Sequence, residues 1–545
     1  MRKYRNYFII LAVAIILLIP MFLNEYPDFK SDASFHIANV LAIKEQISQG
    51  RWESLILGKI ANNFGYGTRI FYPPLSQTVT AFISYFIETF NLDVLVAFKI
   101  VHFCTILFAG LTMYMCSYKF SKNSKCALLS AIIYMTMPYF LSDIYIRCAL
   151  GECFIFIFVP IIFSGILSLL KGDVKHFYSL FIIGYVCGIL SHLVMMMYFT
   201  ILLGVFLLVY YKRIFRKEVI SHLLIATLFV VAIVLPFIES IVSHKILGDY
   251  VVFQEGSMVA DNICDSALNF DKYFDFFQSN SFLGIRFNFS IYVAIILLCT
   301  LVLAKQIIFP KYTKGIIICG ILALYFSSSL FPWNSMPYFL KMIQFPWRLV
   351  TFVSFSISLV APLCITVLNK KAYYFLFIIG IIVGGIQCIV FPRQSLVELN
   401  KFDYIYGIGW QGEYFPVNTI NNASYFWGRS QNIIVKNDAK ISINILENDV
   451  PNMIFEVNNL ENDVVIELPR LFYLGYNLEK GNEIIDLYEN SNGFLEAKIK
   501  ENGRYILTHK LTIIQRIARV ISLFTCISLV VIYIAKFRYR NNINK

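Results

Sequence analysis

Six polar side chains carry most of the chemistry this chain has to offer: Asp32, His36, Arg147, Glu152, His192 and Arg348. "SDASFHIANVLAIKEQISQGRW" places Asp32 and His36 four residues apart, so on a helix both point the same way. "DIYIRCALGECFIF" sets Arg147 and Glu152 in a tight turn directly before an apolar run. Ser191-His192 makes another turn, and "MIQFPWRLVTF" puts Arg348 at the mouth of a further run. A positioned carboxylate can take a proton from a hydroxyl, and a guanidinium suits a phosphate through two parallel N–H bonds. Each residue also has a plainer use. His192 can cap a helical hairpin, Arg348 can snorkel to head groups, Glu152 can brace Arg147, and Asp32 can N-cap the run that follows.

The elements that position them lie in a membrane. The 545 residues are 58% hydrophobic and only 15% charged, more apolar surface than a soluble protein can bury. The formal charge of +12 does not point to nucleic acid, because the lysines and arginines cluster beside apolar runs, where they orient a membrane protein. The twelve cysteines include no CxxC pair and the seven histidines no ligand-spaced cluster, so neither a disulfide framework nor a cysteine metal site is expected. The basic start Met1-Arg2-Lys3 and the run Tyr7–Leu23, longer than a signal-peptide core and with no A-x-A site after it, read as an uncleaved first span.

Apolar runs long enough to cross fall at 7–23, 94–118, 126–142, 153–170, 176–191, 193–211, 219–240, 289–306, 315–331, 348–368, 372–391 and 512–535. If the short, polar 75–90 stays out of this count, the basic loops all share one side with the N-terminus. Twelve spans, both termini cytoplasmic, are expected, with 75–90 lying along the membrane or dipping into it. The segments 24–93, 143–152, 241–288, 332–347 and 392–511 then face outward, and the six polar residues share one depth around an outward-facing cavity. In 392–511, "AKISINILE", "NMIFEVNN", "DVVIELPRLFYLGY" and "NGFLEAKIKENGRYILTHK" alternate apolar and polar residues between Asn, Gly and Asp. They predict an extracytoplasmic β-sandwich of about 110 residues. The domains expected are a helical bundle over 1–391, including the outer loop 24–93, this β-rich segment, and a last span with a basic tail over 512–545. In "NNFGYGTRIFYPPLSQ", Gly65 and Gly67 permit tight bends, and Tyr66 and Tyr72 can stack on a sugar or line an acyl chain, as in a lid or floor for the cavity.

"DASFH", "GRW" and "GYGTRIFYPPL", following one uncleaved span, resemble the membrane proteins called 6-pyruvoyl-tetrahydropterin synthase-related, and the later "YIRCALGE", "QFPWRLV", "ELPRLFYLGY" and "NGF" fit the YfhO-like pattern. The chain is similar also to the YfhO-like bacterial membrane proteins, and both groups look like members of the GT-C superfamily of polytopic glycosyltransferases. Relatives often carry a basic residue soon after the histidine, where this chain has Asn39, and the histidine metal site of a pterin synthase is absent from the sequence. The resemblance implies a bacterial cell-membrane enzyme that moves a sugar from a polyprenyl-phosphate carrier to a wall polymer, polysaccharide or glycolipid at the outer face. It implies an acidic catalytic residue in the first outer loop, where Asp32 matches, with His36 orienting it or the acceptor. On this reading Arg147 and Arg348 hold the carrier phosphate, Glu152 positions Arg147 or is the base itself, and His192 touches phosphate or sugar. Two lone carboxylates weigh against a divalent metal, and no cofactor is expected. A flippase for lipid-linked saccharide, or an inactive relative that only binds glycolipid, are the alternatives; charges at the outer rim rather than the midplane favour the enzyme.

Overall fold

The computed structural model describes the chain except residues 1–3, 24–31, 255–262, 276–284, 342, 391–406, 410–411, 437–440 and 544–545. The basic start Met1–Lys3 and the expected boundary at 392 lie outside the described residues. Two compact units emerge, one built from 1–36, 73–230 and 259–401, the other from 37–72, 231–258 and 402–545.

The first unit is helical. Its helix starts are fixed by side chains that take up free backbone N–H groups. Asp93 caps Val94–Ser121 through Val96, Asn123 caps Ser124–Met135 through Lys125 and Cys126, and Asp173 caps Val174–Ile189 through His176. Glycine lets Val174–Ile189 touch Leu150–Leu170: a Cβ at Gly184 would lie 2.5 Å from Ile162, and one at Gly165 would lie 3.0 Å from the Phe181 nitrogen. The expected span 126–142 is broken. Ser124–Met135 ends at Thr136, Met137 is extended before Pro138, and the chain resumes as Pro138–Arg147 at a 42° bend. Proline supplies no N–H and disfavours a helical residue before it, which accounts for the break.

Among the described residues of the whole chain, six helices are long and apolar enough to cross a membrane, or seven if the bent pair counts as one span. Four shorter apolar helices, Val174–Ile189, Leu193–Val209, Ser290–Val302 and Thr313–Ser327, occupy further runs that the sequence marks as spans. The protein is a mainly helical membrane protein. Leu75–Glu88 has 14 residues, about 21 Å of helix against a hydrocarbon layer of about 30 Å, too short to cross. Its buried face carries Ser76, Gln77, Thr80 and Ser84, while Phe82, Tyr85 and Phe86 are exposed. A helix with its polar face inward and aromatics outward suits a surrounding of lipid.

The second unit contains the β-sandwich. One sheet has the order β1 (Ile434–Lys436), β4 (Val464–Leu471), β8 (Phe494–Ile499), β7 (Leu487–Glu489). The other runs β2 (Ser442–Asp449), β3 (Asn452–Asn458), β9 (Gly503–His509), β5 (Tyr476–Lys480), β6 (Glu483–Ile485), and all pairings are antiparallel. Alternation does the sorting: Met453, Phe455 and Val457 point into the core with Ile466, Leu468, Leu495, Ala497, Tyr505 and Leu507. Phe455 pairs with Tyr505 across β3 and β9, their rings stacked at 5.3 Å. Phe455→Ala is therefore expected to cost about 3–5 kcal/mol, read as a lower denaturation midpoint of the full-length protein.

Residues 57–72 belong to this unit. Leu57 and Tyr66 form an antiparallel bridge, Gly65 adopts φ +88°, and a Cβ at Gly67 would lie 2.6 Å from the Tyr473 ring. Phe64 packs against Phe426 and Phe494, and its carbonyl accepts from Leu471 at 3.0 Å. The glycines allow the aromatic segment to pack closely against the sandwich.

Candidate functional site

Asp32, His36, Arg147, Glu152, His192 and Arg348 all fall in the helical unit, and a hydrogen-bonded cluster forms around Glu152. The bent helix ends in a widened π turn, Asp143–Arg147. Cys148 then takes the left-handed conformation, φ 53°, and Leu150–Leu170 begins with Glu152 in its first turn. This hairpin puts a cation at one helix C-terminus and a carboxylate at the next N-terminus, both favoured by the helix dipoles. The short helical turn Pro346–Leu349 delivers Arg348, and Asp32 opens the helix Asp32–Ser48.

Glu152 is sealed, with 2% of its side chain exposed. Arg147 donates to both of its oxygens, Nη1 to Oε2 at 2.8 Å and Nη2 to Oε1 at 2.9 Å. Arg348 Nε adds a bond to Oε1 at 2.7 Å, and the Tyr139 hydroxyl donates to Oε2 at 3.2 Å. Arg147 also reaches Asp143 at 3.0 Å and Asp32 at 2.7 Å. Its four terminal N–H groups are thus matched by four carboxylate contacts, which offsets the loss of water around it. Arg348 does not snorkel. It is buried, donates to the Ile343 carbonyl at 2.8 Å and to Gln344 at 2.9 Å, and lies over the Phe345 ring. Its Nη2 makes no hydrogen bond among the described residues.

Asp32 differs from the other two acids. Its side chain is 40% exposed, Asp143 is wholly buried, and Arg147 engages only its Oδ2. Oδ1 has no partner among the described residues. Asp143 is the residue that sequence reasoning missed, although its spacing of four from Arg147 was a readable signal. One Asp143 oxygen, Oδ2, is buried with no hydrogen-bond partner among the described residues.

The two histidines are neutral at pH 7. Burial, opposed by the Asp32 charge, pulls His36 down to about 4, and its Nδ1 meets the Gln77 amide at 3.1 Å. Burial, reinforced by Arg348, pulls His192 down to about 3. His192 caps Leu193–Val209 by accepting the Met195 N–H at 3.3 Å, while its Nε2 lies 3.8 Å from Glu152. Because both folded-state values lie below the ordinary one of about 6.5, the unfolded chain takes up these protons first as pH falls. Stability is expected to be level above about pH 6.5 and to decline from there towards pH 4. His192→Asn, which keeps the cap, should flatten that acid limb in thermal unfolding of the detergent-solubilised protein.

Tyr66 and Tyr72 belong to the other unit. The Tyr66 ring is fully buried against Phe415, and its hydroxyl donates to the Ile408 carbonyl at 2.8 Å and accepts the Tyr414 N–H at 3.2 Å. Tyr72 is half-buried at the end of the short helix Thr68–Phe71. Among the described residues, no group of three or more His, Cys, Asp or Glu side chains is arranged to hold a metal ion.

Fold and side chains together define a polytopic helical membrane protein with a β-sandwich and a buried arginine–carboxylate cluster. No family model matches the sequence, and no curated protein matches it. Among solved structures, the chain is similar to ArnT from Cupriavidus metallidurans bound to undecaprenyl phosphate, at 13% identity and a TM-score of 0.44. The alignment covers 68% of this chain and 62% of ArnT, less than two thirds of that protein's length. At that level of likeness, this chain's own residues must speak for its chemistry.

Proposed function

We propose that this protein is a membrane glycosyltransferase that moves a sugar from a polyprenyl-phosphate carrier to a cell-envelope acceptor. The observation that carries this reading is the contrast within one cluster: Asp32 is 40% exposed with one oxygen unpartnered among the described residues, beside a sealed Glu152 and two fixed guanidiniums. The acceptor hydroxyl attacks the anomeric carbon, its proton passes to Asp32 Oδ1, and the bond from that carbon to the carrier phosphate breaks. Negative charge then grows on the phosphate, where a fixed donor is worth most. Arg348 Nη2 is the donor left for it. Arg147 acts through Asp32, holding its Oδ2 at 2.7 Å so that Oδ1 faces the acceptor. Glu152, with both oxygens occupied, is in this reading a positioning residue that sets the two guanidiniums.

Purified protein given a radiolabelled polyprenyl-phosphate sugar and membrane-derived acceptors tests this. The expected result is label in a glycosylated acceptor. Label moved across a vesicle bilayer without a new glycosidic bond would make the protein a flippase, and label retained on the protein alone would make it a glycolipid binder.

A further inference from the structure

Residues 52–54 of the second unit clasp two arginines at once. Arg69 Nη1 donates to the Trp52 carbonyl at 2.7 Å and to the Ser54 carbonyl at 3.0 Å. Arg519 Nη1 donates to the carboxylate of Glu53 at 3.0 Å, and its Nη2 to the Glu53 carbonyl at 3.4 Å. The two guanidiniums therefore share one tripeptide. Burial, then repulsion from Arg519, lowers Arg69 to about 10. Its Nε is buried and has no hydrogen-bond partner among the described residues.

A third arginine stands one turn away. Arg516 and Arg519 are three apart on Ile513–Ile543, so they share a side of that helix. Among the described residues, the Arg516 side chain hydrogen-bonds only the Leu511 carbonyl, through Nε at 3.2 Å. Around Arg516, Ile513, Ile517, Val520 and Ile521 form an apolar strip on one face of the helix, and all four are exposed, Ile513 by 70%. This face opens a helix apolar enough to span a membrane from Ile513 to Ala535. Trp52, 56% exposed, marks the depth, since tryptophan favours the boundary between head groups and acyl chains.

The charges do not balance locally: among the described residues Arg519 is paired with a carboxylate, Glu53, while Arg69 and Arg516 bond backbone carbonyls. A lone arginine at this depth satisfies itself with any passing head group. Here carbonyls and Glu53 fix two of the three, leaving preset positive charge above an apolar strip. We propose that Arg69, Arg516 and Arg519 hold the phosphodiester of one anionic membrane phospholipid, with an acyl chain along the Ile513–Ile521 face. The site shares no residue with the Glu152 cluster and does not depend on the glycosyltransferase reading.

Native mass spectrometry of the full-length protein in detergent, titrated with phosphatidylglycerol, tests it. The wild-type protein is expected to retain one saturable lipid in preference to phosphatidylcholine. Arg69→Gln with Arg516→Gln should weaken that binding by about thirtyfold, and Arg516→Gln alone, at an exposed position, by about fivefold. Lys498→Gln, which removes the partner of Asp463 on the sandwich, should leave it unchanged. Phosphatidylcholine bound equally well, Arg516→Gln without effect, or full displacement by inorganic phosphate or by polyprenyl phosphate at matched concentration would each overturn the assignment.

Discussion

Asp32→Asn is expected to lower the rate of sugar transfer by about a hundredfold to ten-thousandfold, the range a positioned general base supplies, while the protein still folds. The amide keeps the shape of the side chain and an oxygen for Arg147, but it cannot accept a proton from an attacking hydroxyl. Folding should tolerate the change for two reasons. Arg147 retains Asp143 at 3.0 Å and both oxygens of Glu152. The lost ion pair is 40% exposed on the aspartate side, where such pairs contribute at most about 1 kcal/mol. The measurement is turnover on the labelled carrier beside a thermal unfolding curve of the same preparation. Near-normal turnover with an unchanged melt would remove Asp32 from the mechanism.

Local rules made much of this architecture legible. The helix expected from residue 94 begins at Val94 because Asp93 caps it, and the alternation at 453, 455 and 457 gives β3 its buried face. The short strands were invisible. β1, β6 and β7 have three residues each and carry Lys436, Glu483 and Glu489, so no alternation can build up before the strand ends. The bend between Met135 and Pro138 lay hidden inside an unbroken apolar run, where hydropathy is blind to a missing N–H.

The polar residues show a second limit. Depth along the expected spans is what singled out Arg147, Glu152 and Arg348 in the sequence, and it says nothing of their pairings, which no local pattern encodes. Glu152 and Arg348 meet from 196 residues apart. The surroundings of Tyr66 were illegible for the same reason: Ile408 and Tyr414, which occupy its hydroxyl, lie more than 340 residues away. A long-range contact decides whether an aromatic side chain is a surface or a filling.

Glu152→Gln is expected to act on stability before activity, with a loss of about 3–5 kcal/mol, the usual cost of removing one partner from a buried ion pair. The substitution keeps the volume but leaves Arg147 and Arg348 with an amide where both now meet a carboxylate, at 2.8 and 2.7 Å. Neither arginine can recover this from water, because Arg147 and Arg348 are both buried. Adding Arg348→Met separates an electrostatic origin from simple misfit. The double variant leaves Arg147 with Asp32 and Asp143, removes the second buried cation, and should be more stable than the sum of the single losses allows. Denaturation midpoints of the four proteins close the cycle. Strict additivity would mean that Glu152 and Arg348 do not support each other, and that the contacts around this carboxylate contribute shape without charge.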